Sequence, residues 1–442
     1  MFYYTFVFKI QILMLVEFSV QNFRSIKDIQ TISFVTSALK SSKENEHVDR
    51  NNLIPNNNLF KTIGIYGANA SGKSNIIKAL DSFIKVLISQ PSSISNLSEL
   101  CQPFLYQENP ENTESFFQLV IYVNGIKYRY GLTVSKNLDI ELSPEKSTEI
   151  VTSEWLYSDK NGKSTPLFLR NSIRIEKNTL QNKSKIPNHL PFKHTLFLTH
   201  AAAFDTTGDC FNLTKYLRGF FASNFEVSHD KFRWMSLRYI SDKLNKEKFL
   251  YLLEAFNLKY DDIILEDDIA FPINEVYPQE KISFRKTFYT SNKEKITRNL
   301  NLRNNESSGS QKMFDLAGLL LRAFSLDKSA FIILDEIDSN FHPSLLIKLI
   351  ELFNDNEINQ SNSQLLFNSH DTNLMSPTLM RRDQFFFTEK KEDDSTRLYS
   401  LAELKGIRND ADFAKQYLAG YYGALPYLKK IYKNEINPID HE

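Results

Sequence analysis

The sequence of 442 residues contains only two cysteines, Cys101 and Cys210, which lie far apart in the chain. Two such cysteines exclude a disulfide framework and a zinc site built on thiolates, and they indicate a reducing, cytoplasmic compartment. A run of about 18 apolar residues is also missing, so we expect no membrane span. The 53 basic and 53 acidic residues leave no net charge. Any contact with nucleic acid therefore requires a local basic patch.

Two further features are missing. Sustained apolar heptads with charged flanking positions are absent, which excludes a long coiled-coil arm. The apolar start of the chain lacks a basic region and a small-residue cleavage site, so a secretory signal is not expected. Residues 15–20 alternate between apolar and polar side chains with the period of a strand, which predicts a first strand there. We interpret Met14 as the start of translation, with no role for residues 1–13.

The clearest motif that is present covers residues 67–74 and fits G-x-x-x-x-G-K-[ST] in full. It follows a predicted strand over 62–66 and precedes a predicted helix over 75–87, which is the setting that this motif requires. Backbone N–H groups then converge on phosphate oxygens at a helix N-terminus. Lys73 supplies a cation to the β- and γ-phosphates, and the Ser74 hydroxyl is a ligand for Mg²⁺. The predicted ATP-binding residues are Gly67, Asn69, Ala70, Ser71, Gly72, Lys73 and Ser74.

A second motif ends the apolar run 330–334, which is typical of a buried parallel strand. Two carboxylates follow, and Asp335 is predicted to hold Mg²⁺ together with Ser74. Glu336 lies one residue later and is predicted to orient or deprotonate the attacking water. The Asn-Lys segments at 245 and 292 do not continue into an Asn-Lys-x-Asp motif for reading guanine. ATP is therefore favoured over GTP.

A serine and a glycine, Ser308 and Gly309, open a predicted buried helix over 312–324. A helix N-terminus presents free N–H groups and a partial positive charge, and by itself this one is typical of an ordinary helix cap. It can also bind a γ-phosphate, and its separation from Lys73 indicates the nucleotide of another subunit. A different signal, Asn124-Gly125 between two β-rich runs, predicts an antiparallel hairpin.

Five motifs in order resemble those of ABC-type ATPases. They are the Walker A motif at 67–74, a signature at 308–311, the Walker B motif at 334–336, a D-loop at 337–340 and a switch histidine at 368–371. Asn-Phe-Arg-Ser at 22–25 is similar to the opening of the RecF, SMC and OLD branch. Segments at 335–343, 381–384 and 417–426 resemble stand-alone AAA/ABC-like ATPases encoded with abortive-infection and restriction-associated genes.

The resemblance covers residues 14–430 and implies an α/β fold. The expected fold is an ABC-type P-loop NTPase head with a mixed or parallel sheet, an antiparallel β subdomain and an inserted helical region. We expect an N-terminal lobe at 14–135, the inserted mixed and helical region at 136–299, and a C-terminal lobe at 300–442. Only about 70 residues follow His370, so we expect no appended nuclease domain.

The resemblance also implies a head-to-head homodimer, or a higher homo-oligomer, with composite ATP sites. Ser308 and Gly309 of one subunit would face the nucleotide held by Walker A of the other. His370 would contact the γ-phosphate, Asp338 would link the two sites, and Arg24 would approach the nucleotide. The Q-loop is either Gln102 or Gln118, with Gln102 preferred. The signature Ser-Gly-Ser-Gln departs from the Leu-Ser-Gly-Gly-Gln of the family.

Two functions remain open. The first is an ATP-hydrolysing switch in anti-phage defence that controls a separately encoded effector, such as a nuclease. The second is a RecF-like or SMC-like clamp that binds DNA directly in repair or chromosome maintenance. The missing coiled coil and nuclease domain favour the first function. The genes beside this one would separate the two.

Overall fold

The computed structural model describes residues 12–38, 58–136, 149–160, 162–224, 232–266, 279–339 and 341–427. Their strands are β1 Leu13–Gln21, β2 Gln30–Ser33, β3 Thr62–Gly67, β4 Ser115–Val123, β5 Ile126–Lys136, β6 Glu149–Lys160, β7 Lys163–Asn171, β8 Arg174–Asn178, β9 Phe220–Asn224, β10 Asp262–Leu265, β11 Ile282–Tyr289, β12 Lys295–Asn301, β13 Phe331–Asp335, β14 Gln364–Asn368, β15 Phe385–Lys390 and β16 Thr396–Ser400. Their α-helices are α1 Lys73–Ile88, α2 Phe197–Phe204, α3 Asp209–Leu217, α4 Arg233–Ile240, α5 Lys243–Ala255, α6 Leu302–Asn305, α7 Ser308–Ala323, α8 Pro343–Asn354 and α9 Phe413–Leu418.

Seven strands form one antiparallel sheet in the order β2-β1-β4-β5-β6-β7-β8. The predicted hairpin is confirmed, because β4 and β5 pair through a turn in which Asn124 and Gly125 have φ values of 50° and 81°. A positive φ at both positions suits the twist of a two-residue hairpin. Strands β6 to β8 lie in the region expected as an insertion, yet they extend this sheet. The expected boundary between residues 135 and 136 lies within β5, which pairs with β6.

The first strand begins one residue before Met14. Leu13 is 1% exposed, pairs with Val123, and its N–H donates to Ser329 Oγ at 2.5 Å. The interpretation that residues before Met14 have no role is therefore wrong for Leu13. Its side chain contributes to the core, and its backbone ties β1 to the residues before β13.

A second sheet has six strands in the order β16-β15-β3-β14-β13-β9. The Walker A motif follows its strand β3, and the Walker B motif is at the end of its strand β13. Its strands are parallel except β16, which pairs antiparallel with β15. Side chains of β13 alternate between two cores: Phe331 and Ile333 face one, and Ile332 and Leu334 face the other. Burial on both faces explains the continuous apolar run of this strand. Parallel strands also bring their carboxyl ends to one edge.

Helix α1 lies in the first core, between this sheet and the antiparallel sheet. Its Phe83 stacks on Phe117 and Tyr130, with ring centroids 5.4 and 6.0 Å away. The predicted helix over 75–87 is confirmed as part of α1. The expected α/β class, with a mixed sheet and an antiparallel β subdomain, is confirmed by these two sheets.

The second core holds α4, α5, α7, α8 and a three-stranded sheet of β10, β11 and β12. The buried Arg233 pairs with Asp315 at 2.8 Å, which joins α4 to α7. A Cβ at Gly318 would lie 2.2 Å from the Ser236 backbone nitrogen, so these two helices approach closely. Among the described residues, no helix combines the length and apolarity that a bilayer crossing requires.

Candidate functional site

The loop between β3 and α1 is an open backbone cradle. Gly67, Ala70 and Gly72 have φ values of 147°, 60° and 111°. A Cβ at Gly67 would lie 2.3 Å from the Thr388 carbonyl oxygen, and one at Gly72 would lie 2.1 Å from Thr396 Oγ1. Glycine is required at both positions by backbone conformation and by the closeness of β15 and β16. The N-terminus of α1 is thereby left open to a phosphate group.

Two threonines that the sequence reasoning missed support this loop. Ser71 Oγ lies 2.6 Å from Thr388 Oγ1, and Thr396 Oγ1 donates to the Ser71 carbonyl at 3.0 Å. Thr388 stands opposite Gly67 because β15 pairs in parallel with β3. Both threonines lie more than 300 residues away from the loop in sequence. The local sequence holds no signal for this contact.

Lys73 is folded back over the loop that precedes it. Its Nζ donates to the carbonyl oxygens of Gly67 and Ala68 at 2.9 and 3.0 Å. Burial lowers the pKa of Lys73 to about 8, although the charges of Glu336, Asp338 and Asp335 act in the opposite direction. The ammonium group is thus held beside the cradle in a partly desolvated position, where a phosphate would interact strongly with it.

Asn368 joins the two nucleotide motifs and was not singled out from the sequence as a site residue. It ends β14, which lies between β3 and β13, and it is fully buried. Its Nδ2 donates to Asp335 Oδ1 and lies 3.5 Å from Ser74 Oγ, while its Oδ1 accepts from the Glu336 N–H. The structure therefore brings Ser74, Asp335 and Glu336 together, as the motifs predict.

The turn after β13 contains the expected D-loop and contacts the expected switch histidine. Glu336 has a φ of 55°, so the chain turns sharply there. Asp338 Oδ2 accepts from the His370 N–H at 3.1 Å. Desolvation lowers the pKa of the His370 side chain, and the Lys73 charge lowers it further. Asp338 and His370 are thus neighbours near Lys73. Asn340 of the expected D-loop lies outside the described residues.

Arg24 and Gln102 are brought together, whereas Gln118 is not part of this group. Arg24 has a φ of 52°, its N–H donates to the Gln102 carbonyl at 2.6 Å, and its Nε donates to Gln102 Oε1 at 2.7 Å. Gln118 instead accepts from Trp155 within the antiparallel sheet. Asn75 Nδ2 donates to Ser25 Oγ at 2.7 Å. This bond ties the turn that contains Arg24 to the start of α1.

The signature residues begin α7 as expected. Ser307 caps the helix by accepting from the Ser310 N–H at 3.2 Å, while Ser308 is exposed and Gly309 is half-buried. No hydrogen bond between described residues joins Ser308 or Gly309 to the P-loop of the same chain. Lys312 Nζ donates to Ser339 Oγ at 3.2 Å, so α7 contacts the D-loop.

A phosphate-binding loop after β3, its lysine and a carboxylate at the end of β13 in the same sheet define a P-loop nucleotide site. A family model described as "AAA domain, putative AbiEii toxin, Type IV TA system" matches residues 63–376. The chain belongs to this family. The match confirms the resemblance to AAA/ABC-like ATPases.

Several solved structures are similar to the chain at low identity. The SMC head domain from Thermotoga maritima is 15% identical with a TM-score of 0.42, covering 87% of this chain and 98% of that one. The Smc head domain bound to a ScpA domain derived from Pyrococcus furiosus is 13% identical with a TM-score of 0.37, covering 88% and 96%. RecF with ATP is 14% identical with a TM-score of 0.33, covering 88% and 99%. A comparison with curated proteins finds no match.

Proposed function

We propose that this chain is an ATP-hydrolysing switch of the ABC type that closes as a homodimer around two composite ATP sites. The observation that supports the proposal best is the arrangement of Ser74, Asp335 and Glu336 around Asn368. In it, the hydroxyl of Ser74 and the acidic residues Asp335 and Glu336 meet at the carboxyl ends of the strands. The match to an AAA domain supports the same reaction class.

The residues present fit ATP and Mg²⁺. Gly67 and Gly72 let the loop pack closely against Thr388 and Thr396, and the Lys73 ammonium lies over the loop. Ser74 and Asp335 offer hydroxyl and carboxylate oxygens, which are the ligand types that Mg²⁺ prefers, and they would hold the ion. When bound, Mg²⁺ neutralises charge on the phosphate oxygens.

Glu336 is the residue proposed to orient and deprotonate the attacking water. Its backbone is held at the end of β13 because the Asn368 side chain accepts its N–H. Lys73 stabilises the negative charge of the phosphates in the cradle. The chain thus contributes binding, charge stabilisation and a base from three separate segments.

Dimerisation would complete the site. Ser308 is exposed at the start of α7, and we assign Ser308 and Gly309 to the γ-phosphate held by the partner subunit. His370 would contact the same phosphate, and Asp338, bonded to the His370 N–H, would link the two sites. Arg24, held by Gln102, would reach the nucleotide from the first lobe.

The biological role proposed is cytoplasmic anti-phage defence, in which the ATP-dependent switch controls a separately encoded effector such as a nuclease. The family description, which names the AbiEii toxin and a Type IV TA system, supports a partner of the toxin type. Cys101 and Cys210 are free thiols, which fits a reducing compartment.

Two variants test the switch. Glu336→Gln should bind ATP, accumulate as a closed dimer and lose roughly 100-fold or more in turnover, because the base is removed and the cradle is intact. Lys73→Ala should lose ATP binding. Equilibrium binding, light scattering and phosphate release measure these effects. Glu351→Gln, an exposed exchange on α8, is the matched control and should behave as wild type. Normal turnover of Glu336→Gln would show that Glu336 is not the base.

The role is tested by purifying the tagged Glu336→Gln protein with ATP and Mg²⁺. Mass spectrometry identifies bound protein, and nuclease digestion identifies bound nucleic acid. A protein encoded beside this gene that stays bound after nuclease digestion would support effector control. DNA retained only with ATP would support the clamp instead.

A further inference from the structure

The hairpin of β11 and β12 forms a projecting ribbon with a local excess of positive charge. Strand β10 pairs with β11 only from Ile282 to Arg285, whereas β11 and β12 pair from Ser283 to Tyr289. We call residues 285–299 the basic ribbon. It contains Arg285, Lys286, Lys293, Lys295 and Arg298, against one acidic residue, Glu294. The chain as a whole has no net charge, so this excess is specific to the ribbon.

The charges on the ribbon are poorly compensated within the protein. Lys286 lies directly opposite Arg298 in the pairing of β11 with β12, and both side chains are exposed. Like charges in this position destabilise an antiparallel pair. Arg285 forms an ion pair with Asp262 at 3.4 Å. Within the described segments, the other four cations of the ribbon form no ion pair. A polyanion from outside would relieve this repulsion.

The spacing of the cations suits the backbone of a nucleic acid duplex. Arg298 and Lys295 are three residues apart on β12, so they lie about 10 Å apart along the strand and project from opposite faces of the ribbon. The major groove of DNA is about 12 Å wide, has phosphates along both rims and admits a two-stranded ribbon. Tyr289, near the tip of the ribbon, is 70% exposed and presents a hydroxyl that can donate to a phosphate. We propose that the basic ribbon binds duplex DNA through its phosphate backbone.

The root of the ribbon is packed against the helix that begins with the signature. Phe284 stacks on Tyr260 with centroids 4.1 Å apart and meets Phe314 of α7 edge-on at 5.8 Å. Lys286 Nζ lies 5.6 Å from the centre of the Tyr260 ring. After β12 the chain runs through α6 directly into α7. DNA on the ribbon would therefore bind beside residues that pack against α7, the helix that begins with Ser308. This coupling rests on the proposed function and makes duplex DNA the trigger of the switch.

The binding step is tested with the full-length protein and a short fluorescent DNA duplex, without nucleotide, by anisotropy over a range of salt concentrations. Lys286→Gln/Arg298→Gln should weaken binding about tenfold and reduce the slope of log affinity against log salt by about two, one for each lost phosphate contact. Arg174→Gln/Lys177→Gln on β8 makes the same charge change on another exposed strand and should bind as wild type.

Folding is checked separately. The melting temperature of Lys286→Gln/Arg298→Gln should equal or exceed that of wild type, because a repulsive pair is removed. Lys293→Gln/Lys295→Gln, near the tip and away from Tyr260, provides a second variant with a similar expected loss. Wild-type affinity in both ribbon variants would overturn the proposal. Tighter binding of a single strand than of the duplex, or retention of a protein partner that depends on these cations while duplex is not bound, would also overturn it.

The coupling step is measured as ATP turnover with and without saturating duplex. We expect duplex to change wild-type turnover at least about twofold, and the change to be lost in Lys286→Gln/Arg298→Gln, whose turnover without DNA stays normal. Unchanged wild-type turnover would overturn the coupling. A wild-type protein that hydrolyses no ATP would contradict the proposed function, while DNA binding would still be measured independently.

Discussion

The two halves of the nucleotide site differ in how complete they are within a single chain. The P-loop half is built from the ends of β3, β13, β14 and β15, and its Ser71, Lys73 and Asn368 are 2%, 6% and 0% exposed. The signature half consists of the start of α7, where Ser308 is exposed and Ser307 caps the helix. The P-loop half is thus buried within the folded chain, and the signature half is exposed to solvent.

This difference has a physical reason. Buried polar groups must all find partners, so the P-loop half is held by a network that crosses four strands. An exposed helix N-terminus has water as an alternative partner and needs no such network. A γ-phosphate with two negative oxygens could replace that water. We therefore expect substitutions in the P-loop half to lower the free energy of unfolding strongly. Substitutions in the signature half should lower ATP turnover without changing stability.

The largest effect is expected for Asn368→Ala. The change removes a buried hydrogen bond to Asp335 and a part-buried one from the Glu336 N–H, and should cost about 2–4 kcal/mol of the free energy of unfolding. Turnover should fall at least about 100-fold, since Glu336 loses its fixed position. Urea unfolding and phosphate release measure both.

A matched control for this variant is Asn354→Ala. Asn354 is also buried and bonds to Thr62 Oγ1 and the Leu379 carbonyl, at the opposite end of β3. Asn354→Ala should lower the free energy of unfolding by about as much as Asn368→Ala does, but leave ATP turnover per folded molecule unchanged. Equal loss of turnover in both variants would show that Asn368 acts through stability alone.

An intermediate effect is expected for Ser308→Arg. The exposed position tolerates the side chain, so the free energy of unfolding should change by less than about 0.5 kcal/mol. Turnover should fall about tenfold or more if Ser308 serves the partner's nucleotide. Circular dichroism melts and phosphate release test this separation.

Mixing subunits sharpens that test. A dimer of one Lys73→Ala subunit and one Ser308→Arg subunit has one composite site that lacks both residues and one that is intact. Partial activity should return on mixing. Complete inactivity of the mixed dimer would argue against separable composite sites.

The smallest effect is expected for Gln102→Ala. Removing the side-chain partner of Arg24 should weaken ATP binding about threefold, as for a single partly exposed hydrogen bond, and leave stability nearly unchanged. Gln118→Ala, within the antiparallel sheet, is the comparison and should leave ATP affinity unaltered. The reverse ranking would favour Gln118 as the Q-loop residue.

Local sequence predicted the elements of the site well. The glycine positions of the P-loop, the apolar strand before Asp335 and the Asn124-Gly125 turn all follow from short-range rules, and each is confirmed. Strands β6 to β8 were not predicted, because their Lys-, Asn- and Ser-rich sequence has little of the apolar alternation by which strands are recognised. Pairing with β5 holds them in the sheet.

The sequence by itself determined the chemistry available to this protein, since a phosphate loop, a lysine and two carboxylates are each encoded within a few consecutive residues. The tertiary structure decided which groups act together. Asn368 between the motifs, Thr388 against Gly67 and Gln102 on Arg24 all depend on the order of strands and on long-range packing. The placement of the basic ribbon beside α7 depends on the same packing. These contacts join residues from about 30 to more than 300 positions apart and leave no periodic pattern in a single sequence, so only the folded chain reveals them.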